Sequence, residues 1–250
     1  MKKIDKAKIS TILAKTSAEN DENSTETSQE ENLISEASQF QQERQSRKIG
    51  LFGELDGEKA ELTVFNLMFL HETRFKKMPR PLTAAQKKKF IKASREGDEK
   101  TIESFKIKFD EVSQPIELIL STPGGRASDM FCIYDTMRMI REDCEIHTLG
   151  LGHVMSAGTL LLASGTKGKR KIGKNCRVMV HQAMAGTSGS HHEMINEMVE
   201  IEKTQSAYIR CLSAETKMTE SFIRKLMEKK VNIYMSAEEA IKNGLADIIV

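Results

Sequence analysis

Cysteine and proline are both scarce, with four of each in 250 residues. Cys132, Cys144, Cys176 and Cys211 form no C-x-x-C pair and no metal-ligand spacing. That excludes a disulfide framework and a zinc site, and it predicts a reduced, intracellular protein with cysteines used as core residues. Long apolar runs are also missing, and nothing approaches the ~20 residues of a membrane span. The lysines after Met1 lead into no apolar stretch with a small-residue cleavage site, so no secretory signal is expected. Residues 1–15 hold no arginine and acidic residues follow soon after, which argues against a transit peptide. Neither sign of charge dominates: a net charge of +2 with 30% charged residues gives no overall reason to expect a nucleic-acid partner.

Residues 1–47 do not read as core. Between residues 19 and 43 there are eight acidic residues and no basic ones, set among Ser, Thr, Asn and Gln. Such a segment cannot bury enough apolar surface to offset its ordering entropy, so a disordered acidic tail or propeptide is expected. Order is expected from residue 48 to residue 250. Lys48-Ile49-Gly50-Leu51-Phe52-Gly53-Glu54 reads as a strand, with a turn at Asp56-Gly57. A helix then runs to His71, and its apolar residues are so many that it should be largely buried. Residues 72–115 break the pattern. They hold twelve Lys/Arg against seven Asp/Glu, with Pro79, Pro81 and Pro115 as punctuation, and read as a basic insertion with short helices. Its Lys87-Lys88-Lys89 run reads as a solvated helix face, with an acidic or nucleic-acid partner as the alternative.

Beyond the insertion, strand, glycine-rich turn and helix repeat. Ile116-Glu117-Leu118-Ile119-Leu120 leads into Ser121-Thr122-Pro123-Gly124-Gly125, followed by a helix whose apolar stripe is Met130, Ile133, Tyr134, Met137 and Ile140. A second strand, from Glu145 to Leu151, leads into Gly152-His153-Val154-Met155-Ser156-Ala157-Gly158 and a buried helix. Arg177-Val178-Met179-Val180 is a third strand, ending at His181. A long helix from about His192 carries Met194, Met198, Ile201, Gln205, Tyr208 and Leu212 at near-heptad spacing. Ser236-Ala237-Glu238-Glu239 is a capping box for a last short helix, which stops at Gly244. The fold class is therefore α/β, with candidate sites at the strand C-termini.

Three features at those ends could combine chemically. Ser156 at a sharp strand-to-helix turn is a candidate nucleophile, which needs a base within hydrogen-bond reach. Of the six histidines, His181 is the best base, because a buried strand delivers it directly to the same edge. Gly124-Gly125 can bring backbone N–H groups close to a developing oxyanion. Each alone has a plain structural reading: a capping serine, a structural histidine and a tight turn.

Together these residues resemble a known family. Ser121-Thr122-Pro123-Gly124-Gly125, the stretch around Ser156, Lys167-Gly168-Lys169-Arg170 and Arg177-Val178-Met179-Val180-His181-Gln182 are similar in order and spacing to the motifs of ClpP, the proteolytic subunit of the ATP-dependent Clp protease. Met235-Ser236-Ala237-Glu238-Glu239-Ala240 through Gly244-Leu245-Ala246-Asp247 is similar to the family's C-terminal signature. The resemblance covers residues 48–71 and 116–250. It implies a crotonase/ClpP-like α/β fold with a protruding handle helix, homo-oligomeric heptameric rings, and cytoplasmic serine-type hydrolysis of unfolded polypeptides inside a chamber. It implies Ser156 as nucleophile, His181 as base, Gly125 and Ala157 as oxyanion hole, and Gly124, Arg126 and Ala127 beside the substrate backbone. An AAA+ unfoldase partner would use the ATP, leaving this chain without a cofactor, a metal or a membrane.

Two positions depart from the family pattern. Asn232 stands where the family has the aspartate of its triad, and Val231 where it has an arginine that contributes to contacts between rings. An amide can accept an imidazole N–H, yet an Asp-to-Asn exchange can cost roughly 10⁴-fold in rate. Reduced or conditional activity is therefore expected, with rescue by Glu228 or Asp247 ranked below Asn232 itself. The alternative is a catalytically weak structural or regulatory ring subunit. The tail and insertion, both additions to the family pattern, suit a phage-type member dedicated to capsid maturation. An acyl-CoA enzyme of the same fold would not need the Ser156 and His181 motifs.

Overall fold

A computed structural model describes residues 46–80, 83–96, 109–184, 186, 188–229 and 232–250. The tail expected over 1–47 thus falls almost wholly outside the described residues, as do Val231 and residues 97–108 of the insertion. Arg47–Val250 form one compact unit.

In chain order the elements are β1 (Lys48–Phe52), α1 (Gly57–Glu72), β2 (Phe75–Pro79), α2 (Ala84–Glu96), β3 (Phe109–Ser113), β4 (Ile116–Thr122), α3 (Ala127–Ile140) and β5 (Ile146–Met155). They continue with α4 (Ala157–Ala163), β6 (Lys171–Ile172), β7 (Arg177–Val180), α5 (His191–Glu215), α6 (Glu220–Glu228), β8 (Ile233–Met235), α7 (Ala237–Asn243) and β9 (Ile248–Ile249). Strands β1, β4, β5, β6 and β9 lie side by side and parallel, β7 adds to β5, and β8 runs antiparallel to β7. Ile116, Leu118 and Leu120 of β4 alternate into the core, the period-2 signature of a sheet covered more fully on one face. Every residue of α4 is buried, as its apolar sequence demands.

Strand β5 is longer than its sequence suggests, because it changes partners along its length. Leu149 and Gly150 pair with β6, whereas His153, Val154 and Met155 pair with β7. Against β4 the register slips between these halves: Leu120 faces Gly150, but Thr122 faces Val154. This irregularity bends the strand and re-aims its end. The C-terminal ends of β4, β5 and β7 are thereby brought together.

Two expectations need correction. Helix α1 buries Ala60, Thr63, Leu67 and Leu70, but Leu62, Phe65 and Phe69 are half or more exposed. Its many apolar residues form two stripes on two faces, and this chain covers only one. In the insertion, α2 is a short helix as expected, and β2 and β3 form an antiparallel ribbon that was not; residues 97–108 lie outside the described residues. Cross-strand pairing of Lys77 with Glu111 and the Arg80–Asp110 fork hold that ribbon together.

A buried carboxylate ties α5 to α3. Glu215, 1% exposed, accepts hydrogen bonds from Arg138, Tyr134 and both terminal nitrogens of Arg141. Burial pushes this carboxyl upward, but the Arg141 and Arg138 hydrogen bonds outweigh it and hold it below its ordinary value. Its stabilising contribution is therefore present above its ordinary value of 4.5 and lost as pH falls through the lowered one. Arg141→Ala, which leaves Glu215 with only Arg138 and Tyr134 as partners, should destabilise the fold by about 2–3 kcal/mol in denaturant unfolding at neutral pH.

Candidate active site

Ser156 follows β5 and opens α4. Its backbone is at φ 53° and ψ −120°, and it is the one non-glycine residue with positive φ among the described residues. A conformation of this kind costs about 1–3 kcal/mol and persists only where the surroundings over-determine it. Here the Ser156 N–H donates to Met179 O across the β5–β7 pair at 2.8 Å. Its carbonyl accepts from the Thr159 N–H at 3.0 Å and from the Tyr208 hydroxyl at 3.2 Å. The serine side chain makes no capping bond to its helix, which removes the capping reading and leaves the hydroxyl free for other work.

That hydroxyl meets His181, the residue after β7. Ser156 Oγ and His181 Nε2 are 2.8 Å apart. Burial pushes the imidazole pKa below its ordinary value of 6.5, favouring the neutral ring whose Nε2 can accept the hydroxyl proton. Four of the other five histidines have partners elsewhere: His71 meets Asp143, His147 meets Glu145, and His191 and His192 meet edge to face.

The glycines after β4 approach closely. Leu55 is paired with this segment: its N–H donates to Gly124 O, and its carbonyl accepts from the Arg126 N–H. A Cβ on Gly125 would lie 1.9 Å from that carbonyl oxygen, so only glycine fits. A Cβ on Gly124, whose φ is 105°, would lie 2.6 Å from Ser156 Cβ. The Leu55 bonds leave the Gly125 N–H outside that pairing, and Ala157 N–H, in the first turn of α4, has no intrahelical partner.

A cleft of about 630 Å³ joins these parts. Its lining includes Gly124, Gly125, Arg126, Ala127, Ser156, Ala157, His181 and Asn232, so these candidates meet there, whereas Glu228 and Asp247 do not line it. Asn232 is exposed, and among the described residues no hydrogen bond joins it to the His181 ring. Asp247 is committed to Arg170, whose guanidinium it binds through both oxygens, and among the described residues no hydrogen bond joins Glu228 to His181. Sequence reasoning missed the contribution of α5: Gln205 and Tyr208 also line the cleft. Their place in the near-heptad stripe identified a packed face without showing what it packs against.

A serine hydroxyl on a strained elbow, a histidine at hydrogen-bond distance and, among the described residues, two N–H groups without a partner make the arrangement that serine hydrolase chemistry on an α/β sheet requires. The family model for Clp protease matches residues 99–250. The chain belongs to that family, and its mixed α/β fold is of the Clp protease kind. It is 34% identical over 137 residues to the ATP-dependent Clp protease proteolytic subunit of Deinococcus radiodurans, a match covering 55% of this chain and 65% of that protein. Over 141 residues it is also 34% identical to the ATP-dependent Clp protease proteolytic subunit 2 of Frankia casuarinae, covering 56% of this chain and 63% of that protein. The chain thus spans less than two thirds of the length of each of these relatives. Among the described residues no helix is long and apolar enough to cross a membrane.

Displacing the glycine strap should disarm the serine without unfolding the sheet. Gly125→Ala is expected to lower the rate of Ser156 labelling by a fluorophosphonate about 10²–10³-fold, the loss typical of one oxyanion donor. Far-UV circular dichroism should be unchanged.

Proposed function

We propose that this chain is a serine endopeptidase that hydrolyses peptide bonds of unfolded polypeptides within a homo-oligomeric ring. The observation that carries the reading is the 2.8 Å contact between Ser156 Oγ and His181 Nε2 at a strained elbow. Ser156 Oγ attacks the peptide carbonyl carbon as its proton passes to His181 Nε2. The N–H groups of Gly125 and Ala157 receive the oxyanion. Collapse expels the amine, which takes the proton from His181, and leaves an acyl-serine. Water activated by the same imidazole then releases the acid. The substrate backbone runs beside Gly124, Arg126 and Ala127 by strand addition. In this reading the chain works in the cytoplasm, needs no cofactor of its own, and is fed by an AAA+ unfoldase that spends the ATP. The names of both relatives support it.

A second reading, a ring subunit of weak activity, draws on one observation. No carboxylate is hydrogen-bonded to His181 among the described residues, and the family's aspartate position holds Asn232. Without a carboxylate the imidazolium formed during attack is stabilised less, and its tautomer is held less firmly. Neither the capsid-maturation nor the acyl-CoA reading gains support from the relatives.

A fluorophosphonate should label Ser156 in the assembled protein, and Ser156→Ala should abolish both labelling and peptide cleavage; an unlabelled parent sinks the peptidase reading. The acid limb of the pH–rate profile should fall below pH 6.5, because burial depresses the His181 pKa and the neutral base survives to lower pH. Asn232→Asp should raise the rate, by up to roughly 10⁴-fold if the tautomer is what the parent lacks. It should also move that limb upward, because a carboxylate beside the ring favours the imidazolium.

A further inference from the structure

The His181 ring has a partner on Nε2, and among the described residues none accepts from Nδ1. Helix α5 supplies two contacts from behind. Tyr208 donates its hydroxyl proton to the Ser156 carbonyl at 3.2 Å. Gln205 Oε1 accepts the Ala183 N–H at 3.1 Å, holding the segment that leaves His181. Three residues apart, the two side chains lie on one face of the helix, one above the other. Just beyond them α5 is anchored by Ile209, Leu212 and Glu215, all buried. One rigid surface therefore reaches the backbone of the nucleophile and the backbone beside the base.

We infer that Gln205 and Tyr208 are the positioning residues of the Ser156–His181 pair, carrying the orienting role that Asn232 leaves open. The inference rests on the peptidase reading of this site. The Ser156 N–H is already fixed by Met179 O, so the carbonyl is the end of that strained residue free to relax. Tyr208 adds a second donor to it beside Thr159, opposing rotation of the following peptide group and with it a shift of Oγ away from Nε2. Burial pushes the Tyr208 phenol well above its ordinary range, so it remains a donor throughout the working pH range. Gln205 does for the base what a ring partner would do, through the chain rather than the imidazole. A displacement of about 1 Å at either group can cost up to 10²-fold in rate.

The test uses the full-length assembled protein with Tyr208→Phe, Gln205→Leu and Gln205→Glu, and with Glu202→Ala as a control on the same helix. Tyr208→Phe and Gln205→Leu should each lower kcat and the fluorophosphonate labelling rate about tenfold, the loss of one positioning hydrogen bond, with KM changed less than about twofold. Gln205→Glu keeps an acceptor for the Ala183 N–H and should stay within about threefold of the parent. Combined with Asn232→Asp, which gives the ring its own partner, Gln205→Leu should lose less than about threefold, a non-additivity that a purely structural role would not produce. Parent-like rates in Tyr208→Phe and Gln205→Leu, or an equal Gln205→Leu penalty in both backgrounds, overturn the inference. If the parent neither labels nor cleaves, the peptidase reading fails and crystal structures decide the clamp separately. An Oγ–Nε2 contact present in the parent and broken in both variants upholds it, and a contact retained in both overturns it.

Discussion

The positive φ of Ser156 is the constraint on which the site depends. A residue with a Cβ relaxes out of that conformation unless both of its peptide groups are held, and here each is held by a different part of the molecule. The irregularity in β5 turns the strand towards β7, which brings Met179 O under the Ser156 N–H. Helix α4, buried on every side, fixes the residues that follow. The Leu55–Gly125 pairing then carries the glycine strap over the serine from the far side of β4. The strain of about 1–3 kcal/mol is small against the burial of α4 and the strands beneath it.

In the proposed reaction no carboxylate among the described residues stands behind the His181 ring. Burial pushes the His181 pKa below its ordinary value, which favours the neutral ring. In that reaction, the charge of an imidazolium formed during attack would be stabilised by the dipoles and solvent of the cleft. Geometry therefore carries more of the burden here than electrostatics does. Mobile side chains would be a poor substitute, and the helix supplying the supporting contacts is anchored by the one buried carboxylate among the described residues, Glu215.

Much of this was legible in the sequence, and the exceptions have physical causes. The β4, β5 and β7 segments declared themselves by apolar alternation and by glycine-rich ends, so the meeting of Gly125, Ser156 and His181 followed from parallel strands sharing one edge. The length of β5 did not show, because Gly152 and His153 read as a turn when strand pairing is judged from a single segment; only β7, about 25 residues later in the chain, makes them strand. The apolar count of helix α1 overstates its depth, because those residues divide between a buried and an exposed face. The β2–β3 ribbon escaped because its pairing is non-local and its composition is basic. Gln205 and Tyr208 sat in a visible stripe, but periodicity reports that a face is packed and not what it meets.

The ribbon leaves and rejoins the sheet at the start of β4, whereas the strap and the elbow lie past its end, roughly 20 Å away along a seven-residue strand. A longer excursion at the former end adds little closure entropy, since that cost grows only with the logarithm of length. It also disturbs none of the bonds that hold Ser156. Recognition elements could therefore be grafted, enlarged or trimmed at one pole of the sheet while the other pole keeps its catalytic tolerances, so the two ends of this domain are free to evolve at different speeds.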